Sequence, residues 1–350
     1  MPESNQVSEI LTVPLADRGI EWLISALQIA SQLEFATIPP YLCAMWSIKS
    51  GEGRAYDHLR EVVIEEMLHL GLVCNLLTTI GATPKLYPDA APAYPCKLPG
   101  GIRPTLEVPL CGLTRQGIKG VFMEIEKPHH DISGIDPQAE TDPTIGDLYD
   151  AIGLAFEAVP PTSITGWRQV AKMLPIRPGV KAHLFKIESL DDVRKAIFII
   201  KEQGEGTALL PFDDSKGIDK DLAHYFRFAE LFEGRELTID DAGAITFNGP
   251  EIPFPDTFPM AVVPLGGYAG PDVPPETAAK LIEFDNSYTS MLKQLQAAWE
   301  PNPTAPAEAQ PGKLTASIGD MFSLTSIAAE LMAMELTVGG PNYGPCFRLV

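Results

Sequence analysis

A glutamate and a histidine three residues apart, in the middle of an apolar stretch, constrain this chain more than any other feature. The stretch is VIEEMLHLGLV, and helical periodicity extends it to a helix over residues 54–80, stopped by Gly81 with Pro84 just beyond. Its apolar stripe runs through Leu59, Val62, Glu66, His69 and Val73, so Glu66 and His69 lie where the period predicts burial. A charge facing a core has to be paired or bound to a metal. Residues three apart on a helix point the same way, so these two side chains can share one ion. Alone, the pair fits a surface Glu beside a satisfied core His better.

Three further segments repeat the pattern. A helix over 18–48, with a break expected at Pro39-Pro40, carries a stripe of Leu23, Leu27 and Ala30 that continues onto Glu34. A helix over 189–203, with Ser189 as its N-cap, runs into EQGEG and ends on Glu202 and Glu205. A helix over 219–233, stopped by Gly234, holds Asp221-x-x-His224. Two helices giving a carboxylate each and two more giving a carboxylate and an imidazole at i and i+3 can hold a pair of metal ions inside a four-helix bundle. Oxygen and imidazole donors suit iron, with other divalent metals open. The expected ligands are therefore Glu34, Glu66, His69, Glu202, Glu205, His224 and Asp221, with Glu230 an alternative to Asp221. Glu65 and Glu61 fall off the stripe and are expected in solvent. Glu205 also fits a tight helix exit with an exposed carboxylate. Tyr41 and Tyr225 are candidate proton or electron donors beside the site.

The remaining chain reads as one domain over 1–350, mainly α. A Pro- and Gly-rich excursion with short β-like pieces occupies 84–143, Thr144–Ala158 looks helical, and two more helices are expected over 275–300 and 315–337. His129-His130-Asp131 reads as loop. Met291, Met321, Met332 and Met334 on the late helices fit a core, or the wall of an apolar pocket. With 26 Lys+Arg against 46 Asp+Glu, a formal charge of −20, the chain lacks the cationic surface that nucleic acid or anionic lipid needs. No nucleotide-binding glycine motif and no nucleophile elbow occurs. Five cysteines without a CxxC pair, and an N-terminus without a basic-then-apolar leader, fit a cytoplasmic protein off the membrane.

LEFATIPPYL, EEMLHLGLVCNLL, GGIRPTLEVPL, FMEIEKP, TIGDLYDAI, EQGEG, HYFRFAEL and the closing GPCFRLV resemble, in this order, the ferritin-like domain of the iminophenyl-pyruvate dimer synthase family. That family includes enzymes coupling indole-pyruvate imines in violacein and rebeccamycin biosynthesis. The resemblance implies a ferritin-like four-helix bundle with extra C-terminal helices, two iron ions, and oxidoreductase chemistry on a small amino- or imino-acid-like substrate with dioxygen. It carries Glu34, Glu66, His69, Glu202, Glu205 and His224 over as ligands, and leaves homo-oligomerisation open. A metal-binding or iron-handling protein without substrate chemistry is the rival expectation.

Overall fold

The computed structural model describes residues 6–127, 143–177, 180–204, 212–213, 221–240 and 244–350. Helices dominate: α1 (Gln6–Thr12), α2 (Ile20–Trp46), α3 (Arg54–Thr79), α4 (Arg115–Gly117), α5 (Met123–Ile125), α6 (Ile145–Ala158), α7 (Leu190–Gly204), α8 (His224–Glu233), α9 (Pro275–Trp299) and α10 (Pro311–Met332). A π-helical turn, Ile118–Phe122, joins α4 to α5. Strands among the described residues form three antiparallel pairs: β1 (Lys172–Arg177) with β2 (Val180–Leu184), β3 (Phe212–Asp213) with β4 (Asp221–Leu222), and β5 (Thr238–Ile239) with β6 (Ile245–Thr246).

The α2–α3 pair is the centre of the molecule. Gly51 and Gly53, at φ +63° and +96°, turn the chain between the two helices in a region L side chains avoid. On one side α6 packs on α2, α7 packs on α6 and α3, and α8 packs on α3. On the other side the α9–α10 hairpin closes over the pair. The C-terminal tail is held down where Arg348 pairs with buried Asp285 of α9 at 2.7 Å.

The Pro39-Pro40 pair does not break α2, which continues to Trp46. Pro40 lacks the N–H that would bond the carbonyl of Ala36. The Tyr94 hydroxyl donates to that carbonyl at 2.8 Å and satisfies it from outside the helix.

Helix α3 is long and apolar enough to cross a membrane, yet 89% of its apolar window is buried inside the fold. It is covered nearly all round, and this reverses one sequence expectation. Glu65 is fully buried and Glu61 is 7% exposed. A single helical stripe cannot separate inside from outside on a helix with neighbours on every face.

Candidate metal centre

Five side chains converge between α2, α3, α5 and α8. Glu34 comes from the middle of α2, Glu66 and His69 from α3, Glu126 from the residue closing α5, and His224 from the first position of α8. All five are at most 5% exposed. Their ligand atoms form two groups, Glu34–Glu66–His69 and Glu66–Glu126–His224, each drawn within 4.8 Å. Glu66 belongs to both.

The inner atoms follow one pattern. Nδ1 of His69 lies 3.4 Å from Oε2 of Glu34 and 3.9 Å from Oε1 of Glu66. Nδ1 of His224 lies 2.8 Å from the same Glu66 oxygen and 3.6 Å from Oε2 of Glu126. The imidazole rings are 5.6 Å apart and nearly parallel.

The outer atoms are held in place. Tyr149 donates to Oε1 of Glu34, Tyr41 to Oε1 of Glu126 at 2.5 Å, and Thr37 to Oε2 of Glu66 at 2.7 Å. Each carboxylate thus keeps one hydroxyl-bound oxygen and one oxygen turned inward. Nε2 of His69 meets Oε1 of Gln203 at 2.9 Å, and Nε2 of His224 meets Oε2 of Glu65 at 3.2 Å. An outer acceptor keeps the proton on Nε2 and leaves the Nδ1 lone pair for the centre, the arrangement usual around metal-bound imidazoles. Arg227, 1% exposed, lies 2.9 Å from Glu65 and compensates its charge.

These residues fit the binding of metal ions. Nδ1 of His224 makes no hydrogen bond of normal geometry although a carboxylate oxygen is 2.8 Å away. Three carboxylates in a dry cluster require positive charge, and without a metal the chain finds it in protons. Burial, reinforced by the charge of Glu126, pushes the Glu66 carboxyl up to about 7. Burial works against protonating His69 and His224, but the facing carboxylates outweigh it and raise both. Burial followed by the charge of Glu126 lifts the Tyr41 hydroxyl well above its ordinary range, and burial with Glu34 does the same to Tyr149. Both phenols stay protonated donors at neutral pH.

The structure therefore gathers four of the seven expected ligands, Glu34, Glu66, His69 and His224, and treats the others differently. Asp221 is not on a helix. It lies in β4 opposite Asp213, and α8 begins only at His224 because Ala223 is extended. Glu202 is buried and lies outside both groups, while its neighbour Gln203 reaches His69. Glu205 lies outside the described residues, as do His129, His130 and Asp131. Glu230, the alternative to Asp221, is committed elsewhere: it meets Nε2 of His58 at 2.9 Å and accepts from the Leu237 N–H at 2.7 Å. Tyr225 packs edge-on against Phe226 in a small apolar cluster with Leu222 and Ile245. The phenolic hydroxyls on the carboxylates are those of Tyr41 and Tyr149.

Sequence reasoning missed Glu126 and Tyr149. Glu126 follows a helix of three residues reached through a π turn, a local widening that recurs at functional sites. The available signals were the spacing of Ile118, Phe122 and Ile125, all buried, just ahead of the carboxylate, and the motifs FMEIEKP and TIGDLYDAI, which contain Glu126 and Tyr149. Arg103 then pins the chain beyond it, donating to the Lys127 carbonyl at 2.5 Å.

A mainly helical bundle with two carboxylate–imidazole groups sharing one glutamate is the architecture of a ferritin-like protein. A model of that family, described as "Ferritin-like", matches residues 27–233, more than half of the chain, and the chain belongs to it. Among solved structures it is similar to a ferritin-like protein from Caulobacter vibrioides, with a TM-score of 0.59 and 19% identity over 94% of this chain and 97% of that one. No curated protein matches the sequence.

Proposed function

We propose that this protein is a non-haem di-iron oxidoreductase that uses dioxygen on a small amino- or imino-acid-like substrate. The observation that carries the reading is the pair of Glu/His groups sharing Glu66, each offering two carboxylates and one imidazole. Glu34, Glu66 and His69 would hold one ion, Glu66, Glu126 and His224 the other, with Glu66 bridging. Bound iron would supply the electrons and the Lewis acidity for reducing dioxygen.

The chain's own groups do the rest. Gln203 and Glu65 orient the imidazoles; Thr37, Tyr41 and Tyr149 orient the carboxylates. Tyr41 and Tyr149 hold protons at their hydroxyl oxygens, against Oε1 of Glu126 and Oε1 of Glu34. Leu33, Ile145 and Ile200 line a small void beside the carboxylates. The substrate class rests on the resemblance to the iminophenyl-pyruvate dimer synthase family, and a cytoplasmic, membrane-free setting is part of the same proposal.

One observation favours a second reading, metal handling without an organic substrate. The void against Glu34, Glu66 and Glu126 measures about 20 Å³, room for about one water. Oxygen consumption by the iron-reconstituted protein separates the two. Uptake that depends on an added amino or imino acid supports the first; iron-stoichiometric uptake indifferent to such acids supports the second. Failure to retain iron would sink both.

A further inference from the structure

A cavity of about 400 Å³, within the range of small-molecule sites, lies away from the metal centre, between the α2–α3 pair and the α9–α10 hairpin. Each helix of the pair divides its faces between the two sites. On α2, Glu34, Thr37 and Tyr41 serve the centre while Phe35, Ile38 and Leu42 line the cavity; on α3, Glu66 and His69 serve the centre while Val63, Met67 and Leu70 line the cavity. At about 100° per residue these sets point in different directions, so helix backbone separates the two sites. The hairpin helices pack chiefly on each other, which leaves the space between them and α3 unfilled.

The wall is mostly hydrocarbon and sulfur. Ile64, Met67, Met291, Leu295 and Ile318 line it and are only partly buried, so apolar side chains keep accessible surface there. Four of the chain's ten methionines, Met45, Met67, Met291 and Met321, give it the adaptability of an unbranched, polarizable surface. No acidic residue and no lysine lines it among the described residues, and Arg60, the one charged lining residue, has an interaction of its own. Trp46 and Tyr288 offer it ring carbon, because the indole N–H and the phenol oxygen have almost no accessible surface. The hydroxyl-bearing Tyr56, Ser317 and Thr325 are uncharged. An empty space forfeits contacts on every side, and its cost grows with its volume. Water inside would find few of the two to four polar partners that hold a buried water. Phe322 of α10, also a lining residue, is 70% exposed at the rim.

We infer that this cavity is a second ligand site, which takes one uncharged, mainly hydrocarbon molecule. A dry cavity of about 150 Å³ accepts one benzene, so by proportion a space of about 400 Å³ accepts about 16 heavy atoms. The wall decides the charge: an ionic head would lose its hydration against hydrocarbon. An anion would also enter against the chain's formal charge of −20.

Fluorescence titration of the full chain with N-phenylnaphthylamine, an uncharged probe of this size that brightens in apolar surroundings, tests this once any occupant has been stripped over a hydrophobic resin. One probe per chain should bind, with a Kd of about 5 μM. Anilinonaphthalenesulfonate, the same skeleton with a sulfonate added, should bind at least about tenfold more weakly. Ser317→Phe from α10 and Val63→Phe from α3 fill the space from opposite walls. Each should weaken the uncharged probe at least about tenfold with metal content unchanged. The comparison of the two probes uses the wild type, so it holds even where a filling variant does not fold. No saturable binding up to about 20 μM, equal or tighter binding of the sulfonate, or unaltered probe affinity in a folded filling variant would each overturn the proposal. These readouts are independent of oxygen chemistry, so the result stands or falls apart from the activity proposed for the metal centre.

Discussion

Replacing Arg227 with Met tests whether Glu65 belongs to the centre. In the native chain Glu65 is fully buried, with Arg227 Nη1 at 2.9 Å and His224 Nε2 at 3.2 Å, while Arg227 also lies 3.6 Å from Glu61 and donates to the Leu222 carbonyl at 2.7 Å. Met keeps most of the volume and removes the charge. Breaking a buried pair from one side typically costs about 3–5 kcal/mol, because the remaining charge is stranded in a poor solvent. Glu65 would escape by taking a proton, and a protonated Glu65 is a poorer acceptor for His224 Nε2–H. The disturbance therefore reaches the inner nitrogen, and loss of such outer support commonly costs about 10–100-fold in metal affinity. The assay is urea unfolding of the chelator-treated wild type, Arg227→Met, Glu65→Gln and the double variant, with a metal titration of each. Arg227→Met should lose about 3–5 kcal/mol, and the double variant should recover a large part of it because no stranded charge remains. A loss under about 1 kcal/mol, or effects additive within about 0.5 kcal/mol, would refute the buried pair and return Glu65 to solvent.

Three further outcomes are expected. Glu66→Ala should leave the protein with neither ion, whereas Glu34→Ala and Glu126→Ala should each lose one; elemental analysis after anaerobic iron loading reads this, and one ion retained in Glu66→Ala contradicts the bridging role. Glu230→Gln should keep the full metal content while lowering stability by about 1–3 kcal/mol, since Glu230 serves His58 and the Leu237 N–H; a loss of metal would restore Glu230 as a ligand. In the metal-free protein the raised carboxyl of Glu66 favours the folded state at low pH, and that contribution fades as pH rises from about 4.5 to about 7. The raised imidazoles of His69 and His224 act in the same direction, being lost as pH climbs through their folded values. Metal replaces these protons, so the rise in unfolding temperature on adding manganese(II) should grow from about pH 5.5 to about pH 8. A constant or shrinking increment would mean that ions bind elsewhere.

How much of the centre was legible depends on what held each residue. Glu34, Glu66 and His69 sit inside long helices whose apolar spacing announces an inward face, and a charge on that face has few explanations. His224 was found through an i, i+3 partner, Asp221, that turned out to lie in a strand; the histidine was right and its companion wrong. Glu126 could not be read because three residues of helix and a π turn carry no period long enough to recognise. Tyr149 lies on a helix the sequence did show, α6, but nothing local says which neighbour its hydroxyl meets.

The sequence by itself determined the long central helices, their inward carboxylates Glu34 and Glu66, and the acidic balance of the chain, because each follows from short-range spacing or from composition. Only the tertiary structure decided that Glu65 faces inward with Arg227, that the second half of the centre takes its carboxylate from Glu126, and that an apolar cavity lies behind the same two helices. The physical reason is that α3 is enclosed on nearly every side. Periodicity locates a face only when the opposite face is wet, so what each buried group serves was settled by the elements packed around it.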